Sequence, residues 1–104
     1  MRKTPIYQIK DDLSTWLSEN SDLIFDEILE SAEEAAQRGK TFSAVPVIIL
    51  ETQEGTTLFT LKSSESVSDG LDKAMKNFID REAYEKAARV RDLQETLQGS
   101  RFQD

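Results

Sequence analysis

The chain has 104 residues, no cysteine, no histidine and a formal net charge of −7. That length suits a single domain with a small core, and the missing residue types remove disulfides, thiolate nucleophiles, zinc ligands and the commonest general base. The acidic balance opposes direct binding to nucleic-acid phosphates, no apolar run approaches the ~20 residues that cross a membrane, and the absence of cysteine fits a reducing cytoplasmic setting.

Residues 1–10 form a short extended lead-in, since "IYQI" alternates too briefly to define a strand. The lead-in has two early basic residues but no apolar stretch after them, so it does not read as a secretory signal. Asp11 or Asp12 can cap a short helix carrying Leu13, Trp16 and Leu17 on one face. "ENSD" interrupts it, and Ser21 or Asp22 can cap a longer helix running to Arg38. In that helix Ile24, Ile28, Ala32 and Ala35 share a stripe, with Phe25 and Leu29 beside it. Gly39 is a natural stop, and Arg38 and Lys40 suit the negative end of the helix dipole.

"AVPVIILETQEGTTLFTLK" reads as a β-hairpin, Val45 to Leu50 and Thr57 to Leu61, with a polar turn ending in Gly55. Pro46 cannot donate to a ladder and belongs at an edge or a strand start. A two-stranded hairpin is marginal alone, so helices must cover it or a second copy must extend it. "SSESVSDG" reads as a polar linker rich in helix caps. Beyond it Leu71, Ala74, Met75, Phe78 and Ile79 make a helical stripe. The phase changes around Asp80 to Glu82, and a last helix follows with Tyr84, Ala87, Ala88, Arg91 and Gln94 or Leu97 at helical spacing. Gly99 is expected to end it, leaving residues 99–104 as a frayed tail. The class is therefore α+β in a single domain. Two N-terminal helices and a β-hairpin fill residues 1–66, and an antiparallel helical hairpin spans 67–98.

The charge is unevenly spread. Residues 1–40 hold five basic and nine acidic side chains, residues 41–70 one and four, and residues 71–104 seven of each. All nine acids of the first part lie between Asp11 and Glu34, a span without lysine or arginine. Asp26, Glu27, Glu30, Glu33 and Glu34 form its helical core. They read either as a solvated face that keeps the protein soluble or as a working acidic surface.

"EAYEKAARVRDLQETL", residues 82–97, carries the most specific pattern. Ala87 and Ala88 are small residues where two antiparallel helices can approach, and they favour the helix. Tyr84 can fold its ring over the turn against Phe78 or Ile79. Glu85 with Arg89, and Arg91 with Glu95, are opposite charges at i,i+4, contributing ~0.2–0.5 kcal/mol each. These features describe a helical hairpin without identifying a ligand.

The longer stretch "MKNFIDREAYEKAARVRDLQETL" resembles the UVR motif, the helical hairpin shared by UvrB and UvrC, the McsA adaptor and some Clp-family unfoldases. The matching positions are Ile79, Asp80, Glu82, Tyr84, Glu85, Ala87, Ala88, Val90, Arg91, Asp92 and Leu97. Ala83 stands where the family has a turn acid, Gln94 where it has an aliphatic, and Leu93 is displaced by one position. The cysteine pairs of McsA-like proteins are absent. The resemblance implies an adaptor that docks a protein partner or a second copy of itself. Tyr84, Ala87, Ala88, Val90, Arg91, Asp92 and Leu97 are the expected contact residues, and the partners are expected in excision repair or the protease–chaperone machinery.

Other chemistry finds little footing. There is no GxxxxGK[ST] phosphate loop and no GxGxxG. Asp11 with Asp12, and Asp22 with Asp26, lack EF-hand spacing and read as solvated carboxylates rather than a metal site. Ser63, Ser64, Ser66 and Ser68 read as helix caps. Trp16 reads as core. The chain is thus expected to be non-catalytic, without cofactor or metal. The alternative is a small acidic inhibitor, such as a phage anti-defence protein or nucleic-acid mimic, that blocks a basic surface through its acidic helix.

Overall fold

The strand pair expected between residues 45 and 61 has a third member. The computed structural model describes residues 3–38 and 44–103. In chain order the elements are β1 (Ile6–Gln8), α1 (Leu13–Glu19), α2 (Ser21–Gln37), β2 (Val45–Thr52), β3 (Gly55–Leu61), α3 (Ser64–Asp80) and α4 (Tyr84–Gln103). β2 and β3 form the antiparallel hairpin, and β1 joins the other side of β2 in parallel, giving the order β1-β2-β3. A parallel pair needs a long crossover, and here α1 and α2 provide it. The lead-in thus becomes a strand because its partner lies about forty residues away, with Ile6 opposite Ile49 and Gln8 opposite Glu51. Backbone bonds from Ile49 N–H to Pro5 (2.9 Å) and from Ile9 N–H to Glu51 (2.8 Å) extend the pairing.

Pro46 sits at the second residue of β2, beside a bulge between Pro46 and Ile48 and beyond the reach of β1. It therefore lies near the strand start, where a missing donor costs least. The bulge turns Val47 and Ile48 inward together, and both are fully buried.

Local chemistry sets the helix starts. Asp12 caps α1, its Oδ2 accepting from Thr15 N–H at 3.1 Å. Asn20 closes α1, donating its side-chain amide to Trp16 C=O at 2.9 Å, and is also the residue from which α2 starts, one position before the expected cap. Ser63 caps α3 through Ser66 N–H at 3.1 Å. The segment expected to be a linker is therefore the first two turns of α3. The expected stop at Gly39, together with Lys40, lies outside the described residues. α4 continues through Gly99 to Gln103, so that glycine does not end it.

α2 packs on β2, α3 packs beside α2 and reaches β3, and α4 packs on α3 and α2, one layer out from the sheet. The core joins Ile28, Leu29 and Ala32 of α2 to Ile48 and Leu50 of β2. Val67, Leu71, Ala74 and Phe78 of α3 and Ala87, Val90 and Leu93 of α4 join it, together with Ile9, Val45, Val47 and Leu61. Trp16 packs against this core with its ring 5.8 Å from that of Tyr7. Ser31, the one buried polar side chain among the described residues, donates to Ile28 C=O at 3.0 Å.

Candidate functional site

The turn between α3 and α4 is a Schellman motif. Ala83 N–H bonds to Phe78 C=O at 2.7 Å and Glu82 N–H to Ile79 C=O at 3.1 Å, with Glu82 in the left-handed region at φ 60°. The position after that residue commonly makes a hydrophobic contact, and Ala83 packs against the core there. An acid at position 83, as in the UVR pattern, would place a charge at that contact. The turn commits α4 to run back antiparallel along α3, and Gln94 secures the far end by donating to Asp72 Oδ1 at 2.7 Å. Leu93, displaced by one position from the UVR pattern, turns into the core with 7% exposure.

The sequence left open which face of the hairpin is available. The structure turns Ala87 and Val90 inward, and Leu97 is half-buried against the core. Ala88 is half-buried, whereas Tyr84, Arg91 and Asp92 are exposed. The expected contact residues therefore divide. Tyr84, Ala88 and Arg91 share an outward stripe at i, i+4, i+7. Asp92 lies exposed beside it. Ala87, Val90 and Leu97 hold α4 to the protein's own core. Tyr84 does not fold over the turn but is 62% exposed, and Ile79 beside the turn is 49% exposed.

Ile79 belongs to the outward face, although the sequence placed it in the α3 stripe. Val67, Leu71, Ala74 and Phe78 already fill the inward stripe at helical spacing, and residue 79 falls one position out of phase with them. Extending that spacing back to Val67 would also have signalled that α3 begins before Leu71.

The side of the hairpin facing α2 is ionic. Asp26 Oδ1 accepts from Arg81 Nη2 at 2.5 Å and from Lys86 Nζ at 2.9 Å. Asn77 donates to Asp22 Oδ1 at 2.8 Å, and Arg81 Nε also bonds to Asn77 Oδ1 at 2.9 Å. Arg89 grips Glu33 with two nitrogens on two carboxylate oxygens, the bidentate geometry favoured by guanidinium. Burial pushes the Asp26 carboxyl up, but the bonds and charges of Lys86 and Arg81 outweigh it and hold the group below its ordinary range. The bond to Glu33 raises the Arg89 pKa against the opposing effect of burial. Arg81 and Lys86 also lie over the Phe78 ring, at 5.0 and 6.0 Å from its centroid.

This pairing accounts for much of the acidic stretch. Asp26 and Glu33 are matched by cations from the hairpin, and Glu34 meets Arg38 at 3.5 Å. Glu27 is half-buried, and Glu30 is exposed. A bare acidic face for blocking a basic target finds no support in this arrangement. Arg89, expected to pair with Glu85, bonds instead to both carboxylate oxygens of Glu33 on α2. The sequence held one signal for these contacts: a base-free acidic helix must find its cations elsewhere, and Arg81, Lys86 and Arg89 recur along one later segment.

An open groove between the β1–α1 connection and the β2–β3 turn holds about 420 Å³, with Lys10, Asp11, Asp12 and Glu54 on its walls. Among the described residues no cluster of three potential metal ligands occurs, and no helix is long and apolar enough to cross a membrane.

Residues 67–100 match the family model described as the UvrB/uvrC motif, UVR. The match starts at Val67, in the first turn of α3, and covers about the last third of the chain. The helical hairpin is thus a UVR motif, a protein–protein interaction element of the UvrB/UvrC type. No curated protein and no solved structure matches the chain at a significant level.

Proposed function

We propose that this protein is a non-catalytic cytoplasmic adaptor that docks a protein partner through the outward face of the α3–α4 hairpin. Ile79 and Tyr84 supply apolar contact near the turn, Ala88 allows close approach, and Arg91 with Asp92 sets register by charge. Ala87, Val90 and Leu97 act from behind, by fixing the hairpin on the core. The observation that carries this reading is the exposure of two large apolar side chains, Ile79 and Tyr84, at one end of a UVR motif. The family supports partners from excision repair or the protease–chaperone machinery. A stripe of this extent suits a small, transient interface, below about 1,200 Å² in total.

A pull-down from host extract, with captured proteins identified by mass spectrometry, tests the reading. The variant Tyr84→Ala, Arg91→Glu is expected to lose the partner, and Glu27→Lys, Glu30→Lys to keep it. The reverse pattern would transfer the working surface to α2 and end the hairpin proposal.

A further inference from the structure

The fold leaves the sheet unfinished at β3. β2 is paired on both sides, whereas β3 pairs only with β2 among the described residues. Natural sheets discourage edge-to-edge pairing with charges, prolines or bulges on the edge strand. The seven residues of β3, Gly-Thr-Thr-Leu-Phe-Thr-Leu, contain no charge and no proline, and its first four are exposed. On the sheet face away from the helices, Leu58 stands in register with Ile49, and Ile49 with Ile6. Leu58 is 53% and Ile6 57% exposed, so an apolar row runs across all three strands and stops at the open edge.

We propose that β3 pairs antiparallel with β3 of a second copy across a twofold axis, with Leu58 facing its own counterpart. The two three-stranded sheets become one sheet of six, and the two apolar rows join into a single row. The register is set by charge. With Leu58 at the axis, Thr57 faces Phe59, Thr56 faces Thr60, and Glu54 faces Lys62, the last pair occurring twice. Glu54 and Lys62 are exposed, flank the uncharged strand on either side, and make no ion pair with the described residues. Moving the axis to Phe59 sets Glu54 against Ser64, and moving it to Thr57 sets Glu54 against Thr60, so either shift loses both pairs.

The helices do not obstruct this pairing. Burial along β3 rises only toward Leu61, where α3 crosses the strand close to Gly70. Leu61 lies three residues from the axis, so in an antiparallel pair the two crossing points fall about 20 Å apart along the strands.

The natural absence of cysteine makes the register directly readable. Under mild oxidation Leu58→Cys is expected to form a disulfide-linked dimer, because facing side chains bring Cβ atoms near bonding distance. Thr57→Cys and Phe59→Cys should cross-link when mixed and remain largely unlinked alone. In sedimentation equilibrium the wild-type chain should exceed its monomer mass of 11.8 kDa. Lys62→Glu should weaken association about tenfold, and adding Glu54→Lys should restore it. Circular dichroism of each variant separates loss of pairing from loss of fold. A wild-type monomer at every concentration up to its solubility limit overturns the proposal. So does cross-linking of Leu58→Cys no faster than that of Thr4→Cys, a control position before the opposite edge strand.

Discussion

Asp26 joins the N-terminal part of the chain to the UVR hairpin, and Asp26→Asn tests that connection. The substitution preserves size and one acceptor oxygen but leaves Arg81 and Lys86 without their shared counter-charge. Hydrogen bonds to charged groups contribute about 1.5–3 kcal/mol when well sequestered, whereas exposed pairs give about 0.2–1 kcal/mol. The Asp26 side chain is 28% exposed and its partners 27% and 36%, between those limits. We expect a loss of about 1.5–2 kcal/mol near neutral pH. For a domain of this size that lowers Tm by about 6–16 °C.

The pH dependence has a definite sign. A carboxyl whose folded pKa lies below its ordinary 3.8 adds stability that is complete above that value and is lost as pH falls through the folded value. The gap between wild type and Asp26→Asn should therefore be full at about pH 7 and close progressively below about pH 4. Urea denaturation followed by Trp16 fluorescence and circular dichroism measures it. Equal stabilities near neutral pH, or a gap that persists unchanged into acid, would refute the reasoning.

Three further experiments probe other parts of the fold. Gly70→Ala should stabilise α3 by about 0.5–1 kcal/mol in thermal melts, because the new Cβ meets Ile28 and Leu61 at 3.6 Å, an ordinary contact. A loss of stability there would mean that the α3–α2 packing is tighter than this spacing implies. Glu82→Gly should gain about 1 kcal/mol by relieving a left-handed residue that has a side chain, and a lowered urea midpoint would count against the Schellman turn. A double-mutant cycle on Glu33→Ala and Arg89→Ala should give a coupling of about 0.5–1 kcal/mol that shrinks with added salt. Zero coupling at low salt would show that the bidentate pair does not hold α4 to α2.

Much of this protein is written locally. The caps at Asp12 and Ser63, the strand pattern of residues 45–61, the phase change near Asp80 and the UVR spacing depend on residues close in sequence, so the sequence by itself determined an α+β chain ending in a helical hairpin. Three features required the tertiary structure. β1 is too short to identify itself and becomes a strand only through pairing with Ile49 to Glu51. The polar segment 63–70 becomes helix because Val67 completes a stripe that α2 and the sheet bury. Most consequential is the rotation of α4. Its apolar and small residues serve more than one face, and spacing alone favours none of them. Docking against α3 and α2 buried Ala87 and Val90, joined Arg81, Lys86 and Arg89 to the acids of α2, and left Tyr84, Ala88 and Arg91 facing out. Burial and ion pairing between segments more than fifty residues apart are global properties, and they decided which part of the motif a partner can reach.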